Sequence, residues 1–574
     1  MSRLLQGLFS QWELYEPDSD PLFGLEVPPP IARALHRRGI RTASDLESFL
    51  TPNPHLLADI ASLPDAEYAI ELLHDAVQRN RSIFIVGDYD VDGTTSVALL
   101  YSFLKSLGHQ RVRVHLPDRI SEGYGVSDVA VQNAMASDTE LFIAVDCGTK
   151  DIPQLQRLKA AGMQIIVLDH HLVSEADPFP PADAFVNPQR PDSTYSNRYL
   201  SAAALTYRLL ATYKARFGKP QDWEGVDLAA ISLLADIMPL VGENRTIVQL
   251  GLRHMQSSLR PGIAALMKQA RFSPEQLAYS RPIVFQIVPR LNAPGRLRDP
   301  RYTLQLLLAR EFSPKLQRIA EYLEELNAYR QKLQQRAYQE ALRSLEEQHP
   351  GITNGQVPPP PALVVVGKAW HKGIIGLVAS KLMEWFYRPV VAFTLEKGTL
   401  VGSARSPAEI PLHQVLSECC RPFMERFGGH DRAAGLSVRT ELLREFTHAF
   451  QAGCAAYGAF RPKDFVDSEI SVELLRNPAF ISWCDRFEPI GPQNDAPRFL
   501  LRGLQYSGHE NGKIYLSLST QAFYEARVEA VRSDALKSFL ISRGRVPLSL
   551  IVTPRLASNK GKVYLRVRDV LVVD

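Results

Sequence analysis

Between residues 82 and about 250, short apolar runs alternate with stretches of helical periodicity. The runs 83–86, 112–116, 141–145 and 164–168 are too short for buried helices and read as buried strands. Strands separated by helical patterns predict an α/β fold with a parallel sheet and crossover helices. The apolar stretch 228–238 predicts one more helix in the same region. Upstream, residues 1–80 read as a helical accessory region, in which a helix over 31–38 stops at Gly39 and a second begins near Ala43. Downstream, a tract rich in Leu, Gln, Glu and Arg over 302–348 predicts a long helix too polar to be wholly buried. Pro350-Gly351 and the prolines 358–361 then mark a linker.

A second α/β unit follows, with a strand at 362–366, a helix at 373–382 and strands at 390–393 and 400–404. After about 460 the pattern changes to short strands at 499–501, 514–518, 548–552 and 563–567. Their spacing predicts a small OB-like β-barrel, to which Arg555, Lys560, Lys562, Arg566 and Arg568 give a basic end. The arginines 33, 37, 38 and 41 read as a solvated helix face. The expected division is therefore 1–80, 81–300, 301–350, 360–458 and 462–574.

Composition narrows the class without choosing a function. A chain of 574 residues is too long for one core, and about three or four domains are expected. Hydrophobic content of 45% and charged content of 22% are ordinary for a soluble globular protein. A net charge of +3 means that any basic surface must be local. Cys147, Cys419, Cys420, Cys454 and Cys484 show no metal-binding or disulfide spacing, which points to reduced thiols in the cytoplasm. The N-terminal apolar stretch is too soon interrupted for a signal peptide, and no run of about eighteen apolar residues occurs, so no membrane association is expected.

Chemistry enters at the strand ends. Each of the four apolar runs in the first region is followed by an acid: Asp88, Asp118, Asp146 and Asp169. Ligands of open α/β sheets sit beyond the carboxyl ends of the strands. Asp88, Asp90 and Asp92 alternate with Tyr89 and Val91; three acids so close repel one another unless a cation holds them. An acidic surface turn is the alternative, but the placement favours a divalent-metal site. Asp169-His170-His171 adds imidazoles to carboxylates, a donor set that suits Mn²⁺, with Mg²⁺ as the harder substitute. Asp236 stands among apolar neighbours, where an unpaired carboxylate is costly, and is expected to serve the same site.

These motifs, taken in order, resemble the DHH phosphoesterase superfamily and within it the RecJ family of single-strand DNA 5′→3′ exonucleases. The resemblance rests on Gly87-Asp88-Tyr89-Asp90-Val91-Asp92-Gly93, Pro117-Asp118-Arg119 with Glu122-Gly123-Tyr124-Gly125, Val145-Asp146-Cys147-Gly148, Asp169-His170-His171 and Ala235-Asp236. It continues through Pro289-Arg290-Leu291-Asn292-Ala293-Pro294-Gly295-Arg296, Trp370-His371-Lys372-Gly373, Gly402-Ser403-Ala404-Arg405-Ser406 and Gly428-Gly429-His430-Asp431. It departs at Ala202-Ala203-Ala204, where the family often has Gly-Ala-Gly, at Cys147 and Thr149, and at Pro294.

By this resemblance 81–300 is a DHH domain joined by a long helix to a smaller DHHA1-type domain over 360–458, with the OB-like domain behind it. It implies two Mn²⁺ or Mg²⁺ ions: Asp90 and Asp92 on separate ions, Asp146 between them, His170 and Asp236 completing the second, and Asp88 assisting the first. His171 would meet the scissile phosphate or orient a ligand, with Asp169 fixing the imidazoles. Arg119, Arg290 and Arg296 would act on substrate from the first lobe, and Ser403, Arg405 and His430 from the second. Tyr124 is a candidate for stacking on a base. Two lobes joined by a helix are expected to form a groove that excludes duplex. Single-stranded DNA is the implied partner, with single-strand-binding protein and a RecQ-type helicase beside it, in recombination and repair. The rival readings are a DHH-type phosphodiesterase of short or cyclic oligonucleotides and a non-catalytic single-strand binder.

Overall fold

The computed structural model describes residues 3–17, 25–54, 57–174, 177–218, 224–458, 461–510, 513–517, 523–528, 533–543, 546–556 and 563–573. Its contacts divide the chain into unit I, made of Thr42–Ala328 and Arg486–Ala496, and unit II, made of Met1–Arg41, Tyr329–Asp485 and Pro497–Asp574. The chain opens with two strands of unit II, β1 (Arg3–Gly7) and β2 (Gln11–Leu14).

Unit I is built on a parallel sheet of β3 (Ile83–Gly87), β4 (Val112–His115), β5 (Leu141–Val145), β6 (Gln164–Leu168) and β7 (Ala184–Val186), in the order β4-β3-β5-β6-β7. Every residue of β3 and β5 is buried, as a sheet covered on both faces requires. Side chains alternate between two apolar layers. Ile83 and Ile85 pack with Val97, Leu99 and Leu205 on one face, and Phe84 and Val86 pack with Phe142 and Ile165 on the other. The chain leaves β3 toward β4 and returns to β5 on the opposite side, so the carboxyl ends of β3 and β5 flank a switch point.

The four expected strands are present, and the three-residue β7 joins them. The helix expected over 228–238 is Val226–Ala235, with Asp236 as its C-cap. The tract expected as one helix is two, Arg301–Leu307 and Pro314–Gln348. Proline is accommodated at the first helical position because that N–H has no intrahelical partner anyway.

In unit II, β8 (Leu363–Gly367), β9 (Val390–Glu396), β10 (Thr399–Arg405), β11 (Met424–His430) and β12 (Ala433–Arg439) form a sheet in the order β11-β12-β10-β9-β8. Helix Lys372–Phe386 connects the parallel pair β8 and β9. Phe393, Leu400, Val438, Phe446 and Phe450 fill the core beneath this sheet.

The remaining strands are β13 (Lys463–Val466), β14 (Ser468–Ile470), β15 (Phe499–Glu510), β16 (Lys513–Ser517), β17 (Phe523–Val528), β18 (Leu548–Leu556) and β19 (Val563–Val573). Strand β15 pairs with β16, β16 with β17, β17 in parallel with β19, and β18 with both β19 and β15. Helix Ser533–Arg543 lies between β17 and β18 in the chain. Strand β1 pairs with β19, and β2 in parallel with β13.

This corrects the reading of 1–80 as one helical region. Its first strands belong to the C-terminal sheet, and its remainder from Thr42 belongs to unit I. Leu5, Trp12 and Leu14 pack with Val466, Leu500, Ile551 and Leu571, so partners more than 450 residues away decide the conformation.

Three of the four N-terminal arginines are not a solvated face; Arg41 is exposed. Arg37 Nε and Arg38 Nη1 lie 2.6 and 3.1 Å from Asp467 Oδ1, and Arg33 Nη1 donates to Ser468 Oγ at 3.2 Å. The expected basic end also loses a member, because Arg555 is buried and paired with Asp485 at 2.9 Å. Lys560 and Lys562 lie outside the described residues.

Candidate metal centre

The centre is assembled at the carboxyl ends of β3, β5 and β6. Gly87 ends β3; Asp88 follows, and Asp90 is the N-cap of helix Val91–Ser106, its carboxylate accepting from the Gly93 N–H at 3.2 Å. The cap holds the acidic turn tightly: a Cβ on Gly93 would stand 2.4 Å from the Asp88 carbonyl oxygen. Asp146 follows β5 at φ +60°, a left-handed conformation that aspartate tolerates better than most residues. Asp169, His170 and His171 follow β6, and Asp236 arrives from the end of helix Val226–Ala235.

Three overlapping groups of donors result, one of them Asp146 with Asp169, His170 and His171. Asp88, Asp90 and Asp146 offer oxygens all within 4.8 Å of one another, and Asp92, His170 and Asp236 do the same. His170 Nε2 joins the groups, lying 3.4 Å from Asp92, 3.2 Å from Asp146 and 3.7 Å from Asp236. Asp118, which also follows a strand, belongs to none of them: its carboxylate accepts from the N–H groups of Ile120 and Ser121 and from the Ser121 hydroxyl.

The electrostatics are those of a site with too much negative charge. Burial, and then the charge of Asp90, push the Asp88 carboxyl well up from its ordinary value. Burial and the charge of Asp92 raise Asp90 and push Asp146 and Asp236 well up. Burial pulls His170 down, which keeps its imidazole neutral. Asp88 Oδ1 is buried and accepts no hydrogen bond from any described residue. An orphaned carboxylate oxygen among other acids, with a neutral imidazole opposite, is a donor set that fits divalent cations.

Around the acids lies a layer of fixing contacts, of which sequence reasoning expected only the hold of Asp169 on the imidazoles. Asp92 accepts from the N–H groups of Ala202 and Ala203, both at 2.8 Å, and from Ser232. It thus faces the positive end of helix Ala202–Phe217, and the alanine run makes the backbone contact despite lacking glycine. Asp169 accepts from Thr149 Oγ1 at 2.6 Å and from His171 Nδ1 at 2.7 Å. Burial opposes its charge, yet His171 and these bonds hold the carboxyl below its ordinary range. Burial likewise opposes the charge of His171, but Asp169 prevails and lifts it to about 9. Asn187 donates to the His171 carbonyl at 2.9 Å. Asn292 Oδ1 accepts from the Val91 N–H at 3.1 Å, tying the 289–296 motif to the acidic turn. Asp169, His171 and Asn292 lay in quoted motifs, and Ala202, Ala203 and Thr149 were named only as departures from the family; nothing in the spacing marked Asn187 or Ser232.

The expected substrate residues divide. The Arg119 guanidinium lies 4.9 Å from the Tyr89 ring centre, and its charge acts on Asp88. Arg296 acts on Asp90. Arg290 is turned to Glu324 and to the Gln286 carbonyl, so its fork is occupied within the fold. Tyr124 donates to the Asp146 carbonyl at 3.1 Å and meets the His171 ring, while the residue as a whole is 48% exposed. In unit II, Ser403 and Arg405 share a face of β10, with Arg405 Nη1 donating to Ser403 Oγ at 3.0 Å. A Cβ on Gly376 of helix Lys372–Phe386 would reach within 2.9 Å of Arg405 Nη2. The β-ladder aligns Arg405 with Ala433 and Ala433 with His430, placing His430 in the same cross-strand row.

Comparison with known proteins accounts for both units. Residues 82–235 match the DHH family, N-terminal domain, and residues 360–456 the DHHA1 domain. The single-stranded-DNA-specific exonuclease RecJ of Bacillus subtilis (strain 168) is 32% identical over 501 residues, covering 86% of this chain and 61% of that protein. RecJ of Escherichia coli (strain K12) is 32% identical over 442 residues, 74% of each chain. The crystal structure of RecJ in complex with Mn²⁺ from Thermus thermophilus superposes with a TM-score of 0.77 at 26% identity, covering 96% of this chain and 76% of that one. On its sequence, its two domains and its fold, the chain belongs to the RecJ family of single-stranded-DNA-specific exonucleases.

Proposed function

We propose that the protein is a single-stranded-DNA-specific exonuclease that hydrolyses phosphodiester bonds from the 5′ end, releases 5′-mononucleotides and uses two Mn²⁺ or Mg²⁺ ions. The observation that carries this reading is the meeting of Asp88, Asp90, Asp92, Asp146, His170 and Asp236 beyond the strand ends, with Asp88 Oδ1 unpartnered. The names of the relatives and the Mn²⁺ of the Thermus structure support the substrate and the metal.

Asp88, Asp90 and Asp146 would hold one ion, and Asp92, His170 and Asp236 the other, with Asp146 turned to both. The bound cations would supply an activated water and neutralise charge on the phosphoryl oxygens. The chain's own residues do the rest. Asp169 accepts from His171 Nδ1 and would hold its ring oriented toward the phosphate. The Ala202 and Ala203 N–H groups fix Asp92 so that it need not reorient. Arg119 and Arg296 add positive charge beside the acids, and Tyr124 offers its ring to a base.

Ser403, Arg405 and His430 of the DHHA1 domain bind the terminal phosphate in this proposal. A guanidinium fork and a hydroxyl on one strand face suit phosphate oxygens. The row beside them supports it: Ser403 is in register with Gly435, and Gly435 with Gly428, and an added Cβ at either glycine would meet open space. Neither glycine has the positive φ that would explain it by conformation, so clearance for a ligand is the better account. The strands β15 to β19 are proposed as an OB-like module that collects the strand. Their pairing order β15-β16-β17-β19-β18, with β18 returning to β15, supports that reading. Single-strand-binding protein and a RecQ-type helicase are the proposed partners, and the cytoplasm the proposed location. Among the described residues no helix is long and apolar enough to cross a membrane.

Digestion of end-labelled single-stranded DNA with each metal tests the proposal. Stepwise release from the 5′ end, sparing duplex, is expected with Mn²⁺ or Mg²⁺ and is lost in Asp146→Ala, which still binds the strand. Equal or faster cleavage of dinucleotides would favour the phosphodiesterase reading, and binding without release under either metal would leave only a strand-binding protein.

A further inference from the structure

Asp236 is followed by a residue in a conformation its side chain opposes. Among the described residues nine non-glycine positions have positive φ, and Ile237, at +57°, is the only β-branched one. It occupies the position after the C-cap of helix Val226–Ala235, where the Met238 N–H returns to the Leu233 carbonyl at 3.0 Å. That is a Schellman closure, whose left-handed position is ordinarily glycine, sometimes asparagine. A branched Cβ is disfavoured there by contact with its own backbone.

Packing does not explain the choice. Ile237 is 69% exposed, the most exposed large apolar side chain among the described residues of unit I. A lone exposed apolar residue needs no explanation, and a strained one does. The loop is fastened on its far side: Leu240 N–H donates to the Pro492 carbonyl at 2.9 Å, and Asn244 donates to the Pro239 carbonyl at 3.0 Å. The surroundings therefore impose the backbone, and the side chain is what a glycine would lack. It stands one residue from Asp236, whose carboxylate is 3.7 Å from His170 Nε2. A phosphate held at the acids brings its nucleoside to the rim, where an apolar surface can meet the face of any base.

We propose that Ile237 is a substrate-positioning residue that contacts the nucleobase next to the scissile phosphate. The inference rests on the exonuclease reading and deepens it, because an aliphatic contact on a base face is indifferent to sequence. Ile237→Asn and Ile237→Gly remove the apolar contact while suiting the left-handed backbone, and Ile237→Val keeps both branching and contact. Each is compared with wild type on a 5′-phosphorylated single strand and on the same strand with an abasic nucleotide at the cleavage position, and thermal unfolding is followed in parallel.

The expected result is that Asn and Gly unfold no earlier than wild type but raise KM on the intact strand by about five- to ten-fold. On the abasic strand they match wild type, and Val behaves as wild type on both. Unchanged KM on the intact strand, an equal loss on both strands, or a drop in unfolding temperature with Asn would each overturn the inference. A wild type that digests no single strand would instead overturn the exonuclease reading itself.

Discussion

Asp169 shows how much of the centre depends on groups that bind no metal in this account. Its carboxylate accepts five hydrogen bonds, from the N–H groups of Thr149, His170 and His171, the Thr149 hydroxyl and His171 Nδ1. These fix the backbone that aims His170 and set the charge of His171. Asp169→Asn keeps the shape but exchanges an all-acceptor group for one that is half donor, so at least one of these bonds must break. We expect metal affinity or turnover to fall by about 10–100-fold with the fold intact, read by metal titration and by turnover at saturating metal. Tyr124→Phe removes only the hydroxyl that reaches the Asp146 carbonyl and His171. We expect it to lower turnover less than Asp169→Asn, on the same two measurements, because the five bonds to Asp169 remain.

At the scale of elements, the turn between β13 and β14 is fixed by charge. Asp467 is fully buried there and accepts from Arg37, Arg38 and the Arg498 N–H. Burial works to raise its carboxyl, but Arg38 and Arg37 prevail and hold it below the ordinary value. Because the folded value is depressed, the stabilisation is fully present above the unfolded value of about 4 and is lost as pH falls through the folded one. Denaturant melts of the wild type should therefore show no contribution from this group to any change between about pH 5 and 7 and a loss in stronger acid. Asp467→Ala removes the buried carboxylate that Arg37 and Arg38 share and should cost about 3–5 kcal/mol at neutral pH, with a shallower acid limb. A variant as stable as wild type at neutral pH would show that the arginines find other partners.

Across the whole chain, the first strands and the last close one sheet. Asp569, within β19, accepts from Trp12 Nε1 at 2.8 Å and from the N–H groups of Ser10 and Phe9. Removal of residues 1–14 would leave this buried carboxylate without those donors and expose the edges of β13 and β19. An unsatisfied buried group costs about 1–3 kcal/mol, more when charged. We expect the truncated protein to be cut faster by protease within 499–573 while the fragment 42–328 keeps its resistance. Equal resistance of 499–573 in both proteins would show that the N-terminal strands are dispensable to the sheet.

Local pattern determined much of this protein. Short buried strands announce themselves by uninterrupted apolar runs, so β3, β4, β5 and β6 were legible, and the acids behind them stood out because strand ends are where parallel sheets expose ligands. The same rule could not separate Asp146, which meets the other acids, from Asp118, which caps its own turn, because both simply follow a strand. Nor does spacing tell that Arg290 is occupied by Glu324, that Ala202 and Ala203 hold Asp92, or that residues 3–14 are strands of a C-terminal sheet. Those outcomes depend on partners between 34 and several hundred residues away, brought together only when the chain has folded. Sequence by itself determined which side chains can bind a cation; the tertiary structure decided which of them face one another, because charge repulsion and hydrogen bonding act over ångströms and not over positions in the chain.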